Sequence, residues 1–430
     1  MRVLVSLEHR FRRTPDGAVW TQTANRYDFW RRYLEVFDSV RVLSRVLDVP
    51  SVGCDWHRAD GAGVCFAAIP HYIGPLQYLM RYSRIRATAV NALAPDAAVI
   101  MRVPSTLAAH LTPRLYASGQ PFGVEVVGDP WDAFGPRAAK HPLRPLLRWW
   151  VPRQLREQCA RASAAAYVTT SALQARYPCR AFGIAISDVQ LPSEAIRMVE
   201  NGLAPDYPSV QPAIADCASR QMPANHGNRD LRLVTVTSLD PLYKGVDHLI
   251  SAVAMCLCAG LTLRLTVIGD GRHRSRLERH AAALGLREHV TFLGQLQSGD
   301  AVRRELDRSD IFVLASLTEG LPRAMVEAMA RAMPCIGTAV GGIPELLAPE
   351  DLVPAADTAA LAGRILEVGR DRDRMARMSS RNRLTARDYS DPVLREHRVA
   401  FYRHLRHVMS EWIAGRALEA SPRLASTVTS

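Results

Sequence analysis

The pattern of apolar and polar positions is clearest in the second half of the chain. Leu233 to Thr237 is a short β-branched run bounded by a loop, and it predicts a buried strand. Val246, Leu249, Ile250 and Val253 then recur at helical spacing. Further apolar runs at Leu263–Ile268, Val290–Leu293, Ile311–Leu314 and Cys335–Thr338 alternate with helical segments: a charged one carrying Leu277 and Leu284, and a short one that starts near Pro322. Strands uninterrupted by polar positions and alternating with helices predict a parallel sheet covered on both faces.

The first half alternates less cleanly. Met1–Leu7, Val40–Leu43, Ala98–Met101, Gly123–Val127 and Ala165–Thr169 are strand candidates, and a helix carries Phe29, Trp30, Tyr33 and Leu34. Residues 205–230 hold four prolines and no periodicity, which places a linker there. The expected organisation is therefore a domain over 1–204, the linker, a second domain over 231–387, and helices over 388–416 that cross back to the first domain. A frayed tail follows over 417–430.

Composition narrows the class. A chain of 430 residues with 48% hydrophobic and 22% charged positions has room for two globular cores. The start, MRVLVSLEHRFRR, lacks the plan of a signal peptide, and no stretch approaches the roughly 20 apolar residues that cross a bilayer, so a cytoplasmic location is expected. The eight cysteines are scattered without metal spacing and read as buried reduced thiols. A net charge of +12 calls for an anionic partner without saying which; arginine supplies nearly all of it.

Candidate chemistry concentrates in Ser316-Leu-Thr-Glu-Gly-Leu-Pro-Arg-Ala-Met-Val-Glu327, which begins where a predicted strand ends. Gly320 allows close backbone approach, Pro322 suits the first turn of a helix, and the free amides of that helix start favour a phosphate or a sugar hydroxyl. Met325, Ala328, Met329 and Ala332 form a buried stripe. Glu319 and Glu327 lie off it, where two carboxylates can accept hydrogen bonds from vicinal diols. A glutamate near a helix start also simply suits the helix dipole, so the whole constellation carries the signal. Lys244-Gly245, between strand and helix, can neutralise a leaving diphosphate. Gly269-Asp270-Gly271 permits a tight turn but has Arg274 where a dinucleotide fingerprint needs glycine.

Glu319 and Glu327 match the E-x7-E motif of the retaining glycosyltransferases of family 4, and EGLPRAMVEAMARAMPCIGTAVGGIPEL resembles that family's donor-site segment. The agreement runs from about Leu231 to about Leu366. The resemblance implies the GT-B fold, an α/β architecture of two Rossmann-like domains facing across a cleft. It also implies transfer of a hexosyl group, with retention, from a UDP- or GDP-sugar to an acceptor hydroxyl, with no cofactor and no metal. Glu319 would contact the donor sugar, Glu327 the ribose, and Lys244-Gly245 the phosphates. Gly320, Leu321, Gly269 and Leu293, beside the sugar, diphosphate or base, complete the donor set. Many members carry an arginine after the first strand of this domain; here Ser238 stands there, and exopolysaccharide enzymes with Ser-Leu and Tyr-Lys-Gly form a similar subset. The family's cleft histidine is also missing from Glu125–Asp132, leaving Asp129 as the polar substitute or as a cap before Pro130.

The resemblance further implies a polyprenyl-diphosphate-linked acceptor, held at the inner face of the plasma membrane, and no nucleic-acid partner. Arg144–Arg156 interleaves four arginines with Trp149 and Trp150 and could lie on an anionic bilayer; a domain helix with a basic solvated face is the other reading. Two other classes remain. A nicotinamide oxidoreductase would share the alternation but not the paired glutamates. A catalytically weak glycosyltransferase-like partner in a polysaccharide assembly complex fits Ser238 and the missing histidine.

Overall fold

The computed structural model describes residues 1–135, 143–196, 230–240, 242–296 and 299–420. The linker expected over 205–230 lies outside them except for Asp230, and so does the end of the tail. The chain forms two compact units: residues 1–128, 150–186 and 395–430, and residues 129–149 and 187–394. The final helix, Asp391–Ala420, contributes from Arg395 onward to the first unit.

The first unit is built on β1 (Arg2–Arg13), β2 (Val19–Thr21), β3 (Ser39–Asp48), β4 (His57–Arg58), β5 (Val64–Pro70), β6 (Ala98–Val103), β7 (Gly123–Val126), β8 (Ala164–Tyr167) and β9 (Phe182–Ala185). The order β5-β3-β1-β6-β7-β8-β9 is parallel throughout, and β2 and β4 add an antiparallel edge beyond β1. β6 is buried at every position, as expected of a central strand covered on both faces. The predicted end of β1 at Leu7 falls short. The run from Glu8 to Arg13 continues as strand, because Phe11 is fully buried while Arg10 and Arg12 face out, and the segment pairs with Arg45–Asp48. Arg10–Arg13 is thus strand, and the loop toward Gly17 starts only at Thr14. β5 and β9 were not anticipated.

A buried charge cluster ties this unit together. Glu125 of β7 is paired with Arg102 of β6, accepts from Tyr33 Oη at 2.9 and 3.0 Å, and lies 3.7 Å from Arg32. Tyr402, on the final helix, donates to it at 3.3 Å. One carboxylate thus satisfies groups from a neighbouring strand, an early helix and the last helix.

The second unit's sheet comprises β10 (Leu231–Val236), β11 (Leu263–Ile268), β12 (Val290–Gly294), β13 (Ile311–Leu314), β14 (Cys335–Thr338) and β15 (Leu352–Val353). Its order, β12-β11-β10-β13-β14-β15, is parallel throughout, with the switch point between β10 and β13. Asp310 fixes the near end of this pair by accepting from the Arg232 amide at 2.8 Å and its guanidinium at 2.7 Å. The helix Val246–Cys258 buries Val246, Leu249, Ile250 and Val253 against the sheet. Leu277 is buried on Arg274–Ala283, but Leu284 is not: it falls just past that helix and is 41% exposed. The cysteines also differ from expectation, since Cys54, Cys65 and Cys258 are exposed.

Removing one partner of a buried ion pair leaves the other charge stranded, at a cost of about 3–5 kcal/mol. Glu125→Leu is expected to destabilise the first unit by an amount in that range, read by native-state hydrogen exchange at the β6 and β7 amides. The β10 and β11 amides should be unaffected.

Candidate functional site

Open α/β sheets bind ligands beyond the carboxyl ends of their strands, at the point where the strand order reverses. In the second unit that point lies between the loops leaving β10 and β13, and a cavity of about 450 Å3 opens there. Ser238, Lys244, Gly269, Glu319, Leu321 and Glu327 all line it, although they come from four separate stretches of chain.

The β10 loop closes as a single helical turn, Leu242–Lys244, before the helix that starts at Val246. Gly245 between them has φ +68°, and a Cβ there would meet the Ala315 carbonyl oxygen at 1.9 Å, so only glycine fits. Tyr243 accepts from the Leu317 amide at 2.7 Å, which joins this loop to the one after β13. Lys244 is thereby brought to Glu319, with Nζ 2.7 Å from Oε1. Ser316 Oγ donates to the same oxygen at 2.6 Å, and Thr338 Oγ1 of β14 holds the Ser316 carbonyl at 2.5 Å. The Glu319 side chain is largely buried, and both of these contacts fall on Oε1.

The other side of that loop rests on Gly341-Gly342. The Gly342 amide donates to the Gly320 carbonyl at 2.7 Å, and a Cβ on Gly341 would lie 2.0 Å from the Glu319 carbonyl oxygen. These glycines buttress the Glu319 loop. Pro322 stands at the N-cap of the helix Arg323–Ala330, so the first-turn amides of Arg323 and Ala324 have no intrahelical acceptor and lie at the cavity wall.

Glu327, one turn into that helix, is half-buried, and among the described residues its carboxylate has no hydrogen-bond or ion-pair partner. Burial pushes its pKa above the usual carboxylate range, opposed by the charges of Arg323 and Arg303. A ligand that supplies hydroxyl donors would relieve that cost.

Four expected site residues do not line this cavity. Gly245 and Gly320 shape its loops from behind. Leu293 lies on β12, 40% exposed and outside the lining, while Gly294 carries the contact by accepting from the Gly269 amide at 2.8 Å. Asp129 is likewise absent from the lining; its Oδ1 caps the short helix Pro130–Ala133 by accepting from the Trp131 amide at 2.9 Å. The residues not anticipated are Ser316, Arg323, Gln295 and Leu296. A hydroxyl directly after a strand and a basic residue directly after Pro322 were the available signals for the first two. No cluster of metal-binding side chains occurs among the described residues.

Residues 221–385, which include every lining residue of the cavity, match the family described as Glycosyl transferases group 1. Protein CapJ of Staphylococcus aureus is 26% identical over 335 residues, covering 76% of this chain and 78% of CapJ. The putative colanic acid biosynthesis glycosyltransferase WcaL of Salmonella typhimurium is 31% identical over 175 residues, or 38% of this chain and 43% of that protein. The chain therefore spans less than half of WcaL's length. In fold it matches Anabaena Alr3699/HepE, solved in complex with UDP and glucose, with a TM-score of 0.62 at 14% identity over 96% of this chain and all of the other. The fold is that of the GT-B glycosyltransferases.

A carboxylate whose pKa is raised by folding adds stability that is present below its unfolded pKa and lost as pH rises through the folded one. At neutral pH the charged Glu327 is therefore a net cost to the free protein. Glu327→Gln is expected to raise the thermal midpoint at pH 7.5 and to leave it nearly unchanged at acidic pH, by scanning calorimetry at both values.

Proposed function

We infer that this chain, a GT-B fold with a group 1 glycosyl transferase segment around its second-unit cavity, transfers a hexosyl group from a UDP- or GDP-sugar to an acceptor hydroxyl with retention. The observation that carries the reading is the cavity's division of charge: a cation, Lys244, at one loop and two carboxylates, Glu319 and Glu327, spaced along the other. A nucleotide sugar has the complementary order, with a diphosphate between two polyols. Lys244, Arg323 and the first-turn amides suit the diphosphate, Glu327 the ribose diol, and Glu319 the hydroxyls of the sugar.

Chemically, such a site works by placement and electrostatics. As the sugar–phosphate bond breaks, negative charge grows on the leaving diphosphate, and Lys244 with Arg323 stabilises it there more than in the ground state. Departure of the diphosphate on the same face as the incoming hydroxyl gives retention, and its oxygen takes the acceptor's proton. Glu319 has to release Lys244 in this scheme, so donor binding exchanges one ion pair for two new contacts. Asp129 keeps its place as an accepting group of the first half of the chain; in its ionised form it orients a hydroxyl and cannot donate.

The name of WcaL, a putative colanic acid biosynthesis glycosyltransferase, supports a role in exopolysaccharide synthesis, and the acceptor we propose is lipid-linked and held at the inner face of the plasma membrane. No helix among the described residues is long and apolar enough to cross a membrane. The helix Arg144–Arg161 nevertheless exposes Leu146, Trp149 and Trp150 among its arginines, and Gly74–Met80 buries none of its side chains while exposing Leu76, Leu79 and Met80. The first suits an anionic interface, and the second, which carries no charge, offers only an apolar face.

Two measurements test this. Across a panel of UDP- and GDP-sugars, Lys244→Ala and Glu319→Ala should each lower transfer by at least roughly tenfold, and Asp129→Asn should lower turnover without changing donor affinity. Wild-type rates in the first two variants would remove both residues from the site. A panel with no turnover but tight nucleotide binding would instead identify a non-catalytic partner. With liposomes, the protein should float with anionic vesicles at low salt, and Trp149→Ala/Trp150→Ala should reduce the floated fraction. Flotation unaffected by the substitution would exclude that helix as the contact.

A further inference from the structure

Glu319 Oε1 carries two bonds of different origin. One comes from Lys244, on the loop after β10, at 2.7 Å. The other comes from Ser316 Oγ at 2.6 Å, three residues earlier in the loop that holds Glu319 itself. Oε2 has no hydrogen-bond partner among the described residues, and Glu319 belongs to the cavity wall. The two donors also differ in what a ligand can reach. Lys244 lines the cavity, with 21% of its side chain exposed. Ser316 is fully buried and stands outside the lining, behind the carboxylate.

Ser316 is itself held in place. Its carbonyl accepts from Thr338 Oγ1 of β14 at 2.5 Å, and Thr338 is buried as well. The main chain of Glu319 is fixed on its other side, where the Gly342 amide holds the Gly320 carbonyl at 2.7 Å. A buried hydroxyl costs free energy unless it is hydrogen-bonded, and the Glu319 carboxylate receives this one. The bond is short, as expected of a hydroxyl donating to a charged oxygen. It is also local, closing within one loop without help from the loop after β10.

That difference matters once a diphosphate draws Lys244 away. Glu319 then loses its one ion-pair partner among the described residues. With Ser316 still on Oε1 the carboxylate keeps its direction, and Oε2 stays open to a hydroxyl donor.

We propose that Ser316 is a positioning residue for the donor: its buried hydroxyl holds Glu319 Oε1 after Lys244 has moved to the diphosphate, so that Oε2 meets the hydroxyls of the sugar. The assignment rests on the nucleotide-sugar reading of the cavity and adds a division of labour to it. Lys244 is the exchangeable partner of Glu319, and Ser316 the permanent one. A residue that acts this way affects the sugar end of the donor, and only while Glu319 is present. Lost packing would instead weaken nucleoside diphosphate and nucleotide sugar alike.

The test is calorimetric titration of the full chain with UDP, UDP-glucose, UDP-galactose, UDP-N-acetylglucosamine, GDP and GDP-mannose. The readout is the dissociation constant of the nucleoside diphosphate divided by that of its nucleotide sugar, for the sugar that the wild type binds most tightly. Ser316→Ala should lower this ratio at least about tenfold, the effect of losing one hydrogen bond to a charged group. Glu319→Ala should lower it at least as much. Adding Ser316→Ala to Glu319→Ala should then change it by less than about twofold, because residues that act as one unit are not additive. Ser316→Cys, of similar size but a weak donor, should fall between wild type and alanine, and it carries the same cycle if the alanine variant is unstable. An unchanged ratio in the Ser316 variant, or an equal further loss in the double variant, overturns the proposal and leaves the nucleotide-sugar reading intact. A wild-type chain that binds none of the nucleotide sugars contradicts that reading, and the proposal falls with it.

Discussion

The ion pair between Lys244 and Glu319 is the contact on which the second unit's cavity depends. It joins two loops that leave adjacent strands of the sheet, and each partner is supported from behind: Glu319 by Ser316, Thr338 and the Gly341-Gly342 turn, and Lys244 by the backbone bond from Leu317 to Tyr243. When a ligand opens the ion pair, the backbone bond from Leu317 and the Ser316 and Thr338 hydroxyls still hold the two loops, and positioned charge is where most of the electrostatic contribution to catalysis arises. The pair also keeps an amine and a carboxylate in reserve, each satisfied until a diphosphate and a diol replace them.

Glu327 makes the complementary point. Its half-buried carboxylate has no partner among the described residues, and its raised pKa reflects a cost that nothing in the described structure offsets. Core positions on the same helix, such as Met325 and Met329, are fully buried and need no ligand to explain them. A destabilising group retained between them is the kind of local inconsistency that functional sites carry. In the first unit Arg10 of β1 and Arg45 of β3 likewise set like charges side by side in register, although Arg45 is offset by its ion pair with Glu8.

Much of this was legible in the sequence where one residue type had a single physical reading. The strands Leu263–Ile268, Ile311–Leu314 and Cys335–Thr338 are short runs rich in apolar and β-branched residues, and their observed limits are the expected ones. β5 escaped because Val64–Pro70 contains Cys, two alanines and a terminal proline, and β9 because it is a four-residue, half-buried edge strand. The end of β1 was misread because its charges masked an alternation around Phe11. At the site, Lys244, Glu319 and Glu327 stood out because they follow strand ends. Leu293 misled because strand parity decides which face a side chain takes, and a short apolar run does not reveal parity. The Arg10–Arg45 neighbourhood could not be read at all, since it depends on the register between strands more than thirty residues apart.

The most direct test of the account is a crystal structure of the protein soaked separately with UDP and with GDP. The account predicts, for at least one of them, the ribose hydroxyls on the Glu327 carboxylate and the diphosphate on Lys244 Nζ, with the Lys244–Glu319 contact lengthened or broken. A nucleotide bound elsewhere, with Lys244 and Glu319 still paired and Glu327 untouched, would contradict it.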